Sequence, residues 1–192
     1  MSDRFSVVGA SERKVDGLAL VTGRPVFAGD LDLPDTLHIA LLTSPHAHAR
    51  IRHIDPAPAA RLPGVALVLT HENTPSTRYT TAGQGYPEPS PYDARMFDSK
   101  VRFVGDRVAV VAAESRRLAE EALTLIRVEY EVLTPVLSLE AALAPGAPVI
   151  HDEADAEGVW DASRNLAAMV EVATGDIEQG FAESAVVVET TC

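Results

Sequence analysis

Two histidines one residue apart, His46 and His48, come nearest in this chain to a metal-ligand pattern. On a strand such a pair points to one face, and His53 and His71 follow not far along the chain. A zinc or copper site needs three or four converging ligands with supporting partners, and here only the pair is indicated, directly after Pro45. Polar residues at a strand edge are the better reading. Paired carboxylates are plentiful: Asp30 and Asp32, Glu120 and Glu121, Glu129 and Glu131, and the cluster Asp152, Glu153, Asp155 and Glu157. General acid–base chemistry needs a carboxyl desolvated enough for its pKa to move toward neutrality. These fall on wet faces or in a linker, so solvated charge is the expected role.

Nucleophile and phosphate motifs are missing. There is no Gly-x-Ser-x-Gly elbow, and the lone Cys192 has no histidine that spacing would assign to it. No Gly-x-Gly-x-x-Gly follows a strand, and there is no Gly-x-x-x-x-Gly-Lys. Gly83-Gln84-Gly85 lies in a loop, and Gly105-Asp106 reads as a tight turn or bulge. No catalytic, cofactor-binding or metal-binding residue is assigned.

The elements that would position any chemistry are organised around residues 101–131. Arg107 to Ala113 is a near-continuous apolar run, as for a strand buried on both faces. Ser115 stands as a helix N-cap, and Leu118, Ala122, Leu125 and Ile126 form a helical stripe. Val128, Tyr130 and Val132 then alternate with Glu129 and Glu131, the period of a half-buried strand. Strand–helix–strand is expected here, with a right-handed crossover if the strands are parallel neighbours. Leu37 to Thr43 and Val65 to Thr70 read as further buried strands, with Ala49 to Ile54 as a partner for the first. Ala57 to Leu62 is a short helix opened by prolines and ended by Pro63-Gly64. Val26 to Ala28 is a possible short strand, and Leu139 to Leu143 a short helix. The spacing further predicts a strand over Asn165 to Thr174, a helix capped by Asp176 through Phe181, and a strand from Ala185 to Cys192. The fold class is α/β, with a mixed α+β sheet.

Composition excludes some functions. A 46% hydrophobic content supports a real core, and 28 acidic against 16 basic residues give a net charge of −12. Binding nucleic acid or an anionic membrane needs clustered Lys and Arg, so neither is expected as a partner. One cysteine excludes an intrachain disulfide and a multi-cysteine zinc or iron–sulfur site in this chain. No apolar run approaches the roughly 18–20 residues of a membrane span. The first residues lack a signal-peptide core, so a cytoplasmic location is expected.

Residues 73–100 have neither helical nor strand period and are rich in proline and tyrosine. Loops of this length are usually functional or partner-facing. Tyr79, Tyr86, Tyr92 and Phe97 are therefore expected to dock on another domain or subunit. The run ending at Cys192 stops without turn or cap, as a docked terminal strand or a piece of something longer would. Val186 and Val188 on it are expected at an interface, and its free edge should drive self-association of the isolated chain.

Several segments, in order, resemble the N-terminal region of the molybdenum-containing subunit of the xanthine dehydrogenase/aldehyde oxidase family. They are Val21-Thr22-Gly23 followed by Phe27 and Asp30; Ser44 to Ile51; Pro63-Gly64-Val65; Val101 to Ala109; Val128 to Glu131; and Gly175-Asp176 followed by Phe181. None is specific alone; the combination spans about Val15 to Cys192. The resemblance implies an arm over residues 1–16, an α/β hammerhead domain over 17–133, and a connector over 134–192 leading into the molybdopterin-binding region. It implies a parent enzyme that hydroxylates aldehydes, purines or other N-heterocycles with oxygen from water at a molybdopterin-bound molybdenum. Electrons would leave through iron–sulfur clusters and FAD on other domains or subunits, which are the implied partners. The family's pterin-holding segments and its base correspond to nothing here, so the chain itself is expected to bind no cofactor and to be inactive. Two other readings stand beside this one: a stand-alone scaffold or assembly protein with the same fold, and a small metal-binding module built on His46 and His48.

Overall fold

The computed structural model describes residues 8–25, 27–31, 33–81 and 90–190. It divides into two units, the first ending at Thr36 and the second beginning at Leu37. The first carries a single-turn helix, α1 (Gly17–Val21), closed by the Thr22 hydroxyl donating to Leu18 O at 2.7 Å. A 3-10 turn follows at Ala28–Asp30, where the Asp30 carboxylate accepts the Phe27 N–H. The expected short strand over Val26 to Ala28 is therefore corrected for Phe27 and Ala28, because Asp30 bends the backbone back on itself; Val26 lies outside the described residues.

The second unit holds two three-stranded antiparallel sheets over a shared core. Its elements are β1 (His38–Thr43), β2 (Ala49–Asp55), α2 (Ala57–Ala60), β3 (Val65–Thr70), β4 (Lys100–Val101), β5 (Arg107–Ala113), α3 (Arg116–Leu123), β6 (Arg127–Val132), α4 (Leu139–Leu143) and, later, α5 (Ile177–Glu183). The strand orders are β1-β5-β3 and β4-β2-β6. β5 is thus the central strand of the first sheet, which explains its unbroken Val/Ala composition. α3 starts where expected, with Ser115 Oγ accepting the Leu118 N–H at 3.2 Å.

Two sequence-based expectations about pairing are corrected. β5, α3 and β6 form in the expected order, but β5 and β6 belong to different sheets, so no parallel crossover exists. β1 pairs with β5, from His38 opposite Ala113 to Thr43 opposite Arg107, whereas β2 pairs with β4 and β6. The turn at Ser44–His48 carries the chain out of one sheet and into the other. Ser44 is buried and accepts the His46 N–H, while its own N–H donates to Asp106 O at 2.8 Å.

The core joins Ile51 and Ile54 of β2 and Val101 of β4 to Val68 of β3, Val108, Ala109 and Val111 of β5, and Ala119 and Ala122 of α3. α3 packs on β1 and β5, and the alanines at that contact leave no bulk to hold helix and sheet apart. Gly64 ends the α2 turn with φ +86, and an added Cβ would stand 2.7 Å from Leu118 Cδ2 and 3.0 Å from Glu114 Oε2. The backbone angle requires glycine there, and the Leu118 and Glu114 side-chain ends would have to move aside for any Cβ.

Neither expected C-terminal strand forms among the described residues. After a bridge between Asp161 and Leu166, and a bond from Trp160 N to Ala167 O, no strand is assigned over residues 168–174 or 185–190. A β-branched run becomes a strand only against a partner backbone, and among the described residues no strand pairs with these. α5 does form, and Asp176 Oδ1 accepts the Gln179 N–H at 2.9 Å.

Ile54 is 2% exposed at the centre of the core, whereas Ile39 on β1 is 68% exposed. In urea denaturation, Ile54→Ala is expected to destabilise the chain by about 2–5 kcal/mol. Ile39→Ala should stay within about 0.5 kcal/mol. Equal losses would contradict this assignment of core and surface.

Candidate functional site

The two histidines do separate structural work. His46 sets its ring edge-on to Tyr130, centroids 4.9 Å apart and planes at 70°. His48 is buried and donates Nδ1–H to Thr134 O at 2.8 Å, while the Leu133 N–H returns to His48 O at 2.9 Å. The pair thus ties the start of β2 to the end of β6 and the chain beyond it. Among the described residues no three His, Cys, Asp or Glu side chains converge to hold a metal ion.

Three carboxylates of the acidic cluster are ion-paired, so the expectation of simply solvated charge is corrected for Asp152, Glu153 and Asp155, while Glu157 is exposed. Asp152 takes Lys100 Nζ at 2.7 Å and Arg50 Nη2 at 2.5 Å. Glu153 pairs with Arg102, which also holds Asp98 at 3.2 Å. Asp155 takes Arg78 at 2.7 Å and also pairs with Arg95. Lys100 is 2% exposed and adds bonds to Val149 O and Ile150 O. Burial disfavours the charge on Asp152, yet the Lys100 and Arg50 contacts outweigh it and hold the carboxyl at about 2 against an ordinary 3.8. Burial likewise opposes ionisation of Glu153, but neighbouring His151 and Arg102 bring it to about 2 from 4.5. His151 Nδ1 stands 3.6 Å from Glu153 Oε2. The Arg78 hydrogen bond, with Arg95 behind it, keeps Asp155 well below the usual carboxylate range.

The loop aromatics part company. Phe97 is 5% exposed, so it is covered by this chain and presents no ring to a partner. Tyr79 is half-buried; its backbone bridges to Ala94 and its hydroxyl accepts from Arg107 at 2.7 Å. Tyr92 bridges to Glu157 and leaves its side chain exposed. Tyr86 lies outside the described residues. Beside this loop is an open crevice of about 310 Å³, walled by Asp93, Arg95, Asp98, Arg102, Arg107 and His151 among others. Most of its charged walls are already engaged with one another or with neighbouring residues. Arg95, Arg102 and Arg107 are already bonded to Asp155, Glu153 and Tyr79, so this donor set is a poor fit for a molybdopterin phosphate.

One sheet face is apolar and exposed. Cross-strand register places Ile39, Ala112 and Leu67 in one row and Leu41, Val110 and Leu69 in the next, all on the side of β1-β5-β3 turned away from α3. Ile39, Leu41 and Leu67 are at least half exposed. The outer face of the other sheet instead carries Arg50, Arg52 and Glu131, the last two ion-paired at 2.5 Å. A sheet facing water alternates apolar with polar residues, and only the second sheet does so. Sequence reasoning missed this surface, although the signal was present: a run apolar on both faces implies cover on both faces. Val186 and Val188, on the unpaired C-terminal segment, are also exposed.

Residues 22–134 match the family model for the aldehyde oxidase and xanthine dehydrogenase a/b hammerhead domain. The chain belongs to that family. It is 42% identical over 98% of its length to a probable hypoxanthine oxidase of Escherichia coli, of which it covers 23%. It is 33% identical over its whole length to the nicotinate dehydrogenase large molybdopterin subunit of Eubacterium barkeri, covering 41% of that protein. Quinoline 2-oxidoreductase from Pseudomonas putida superimposes with a TM-score of 0.63 at 42% identity, over 70% of this chain and 17% of that one. The hammerhead chain thus spans less than half the length of these relatives. No helix among the described residues is long and apolar enough to cross a membrane.

The carboxyls held low set an acid limit for the hammerhead chain. A depressed folded-state pKa means the unfolded chain binds protons first as pH falls. The contribution of Asp152 and Glu153 is therefore full above about 4.5 and is lost as the pH drops toward about 2. Urea midpoints measured across that window should fall, and Asp152→Asn with Glu153→Gln should flatten the fall.

Proposed function

We propose that this chain is the hammerhead domain of a molybdenum hydroxylase, and that it supports the reaction without carrying a catalytic group. Residues 17–133 would be the domain proper and 134–192 the connector. The parent enzyme would oxidise aldehydes, purines or other N-heterocycles with oxygen from water. The observation that carries this reading is the uncovered apolar face of β1-β5-β3 in a chain that aligns along 98% of its length with only 23% of a longer oxidase. Ile39, Leu41 and Leu67 are exposed, with the half-buried Leu69, Val110 and Ala112 beside them, a patch that a neighbouring domain would cover. The occupant of that face is the remainder of such an enzyme chain, and the exposed Val186 and Val188 segment is a second contact with it. Molybdopterin, the iron–sulfur clusters and FAD would then be held by those other domains or by separate subunits.

Two measurements test the proposal. Metal analysis of the isolated chain, with aldehyde and hypoxanthine oxidation assays, should give no molybdenum above background and no turnover; stoichiometric molybdenum would overturn the non-catalytic assignment. Sedimentation at high concentration should show self-association that Leu41→Lys with Leu67→Lys suppresses. A monomer unaffected by those changes would remove the docking face from the account.

A further inference from the structure

The segment from Val149 to Glu157 reaches both β4 and the residues that precede it, some 50 to 77 positions back along the chain. At one end the Lys100 ammonium, on β4, spends its hydrogen bonds on Val149 O at 3.4 Å, Ile150 O at 2.7 Å and Asp152 Oδ1 at 2.7 Å. Every contact recorded for that ammonium is to this segment, and the side chain is 3% exposed. A buried ammonium must keep its countercharge or return to water. At the other end Asp155 takes both Arg78 and Arg95, which lie within residues 73–99, and the Arg78 side chain is only 6% exposed. Beyond it, Tyr92 N donates to Glu157 O at 2.8 Å and Glu157 N to Tyr92 O at 3.4 Å. Tyr79 and Ala94 exchange backbone bonds of 2.9 and 3.2 Å within the same loop.

We propose that residues 149–157 form a coupling strap, anchored on β4 by Lys100, that holds Arg78 and Tyr79 against Tyr92, Ala94 and Arg95 through Asp155. This pairing and the connector are then held or released together. The Lys100 ammonium has no recorded bond to Arg78, Tyr79, Tyr92, Ala94 or Arg95, so loosening the strap at that ammonium opens the Tyr79–Ala94 pairing at a distance. Arg50 and Arg102, gripping Asp152 and Glu153 between the two anchors, make the segment one cooperative unit.

Hydrogen–deuterium exchange on the full 192-residue chain tests this. Lys100→Met removes the anchor, and Asp152→Asn weakens it while keeping an acceptor for the ammonium. In Lys100→Met the Tyr79, Ala94 and Tyr92 amides should exchange faster by about ten-fold or more, with the β5 amides unchanged within about two-fold. Asp152→Asn should give the same pattern at smaller amplitude. Unchanged loop amides in both variants would overturn the proposal. Should Lys100→Met open β5 as well, Asp152→Asn decides: faster loop exchange over a protected β5 supports the strap, and protected loop amides reject it.

Discussion

The close approach of α3 to β5 is the contact on which the rest of this structure depends. Val108, Ala109, Val111 and Ala113 on the strand and Ala119 and Ala122 on the helix are fully excluded from water. Small residues on both sides bring the backbones together, so even a modest enlargement would force helix and sheet apart. Because β5 is paired on both edges, its position also fixes β1 and β3. Gly64 and Leu118 in turn register the α2 turn against the helix. The second sheet closes the core from below through Ile51, Ile54 and Val101.

That arrangement leaves the two sheets unequal. Each is covered on its core-facing side by this chain, but their other faces differ in chemistry. The β4-β2-β6 face is charged and self-paired, which water tolerates. The β1-β5-β3 face is aliphatic, which water does not. The relatives matching this hammerhead domain are several-fold longer, and a surface of this kind is what a domain shows when viewed without its neighbours. Charge does the opposite job at the far side, where it is used inwardly: Lys100 and Arg50, Arg78, Arg95 and Arg102 converge on Asp152, Glu153 and Asp155.

Local pattern carried the elements, and contacts between distant residues stayed hidden. β1, β3, β5, α3 and β6 were legible because apolar runs, alternation and the Ser115 cap are short-range signals. Strand partners were not, since β2 alternates equally well whether it pairs with β1 or with β6. The family resemblance was legible from motif order, including Ser44 to Ile51 and Val101 to Ala109. The strap was read as linker because the sequence shows Asp152 without the Arg50 that binds it from 102 positions away. Phe97 went wrong for a related reason: a loop without period can still fold its ring inward. The segments over 167–174 and 185–190 have strand composition and no strand, because pairing depends on a second backbone that composition cannot name.

Carbene footprinting of Ile39, Leu41 and Leu67, in the isolated chain and in an enzyme that contains this domain, addresses the central claim most directly. A supporting domain with one face reserved for its neighbours predicts strong labelling of all three alone and protection of all three in the enzyme. Equal labelling in both would contradict it.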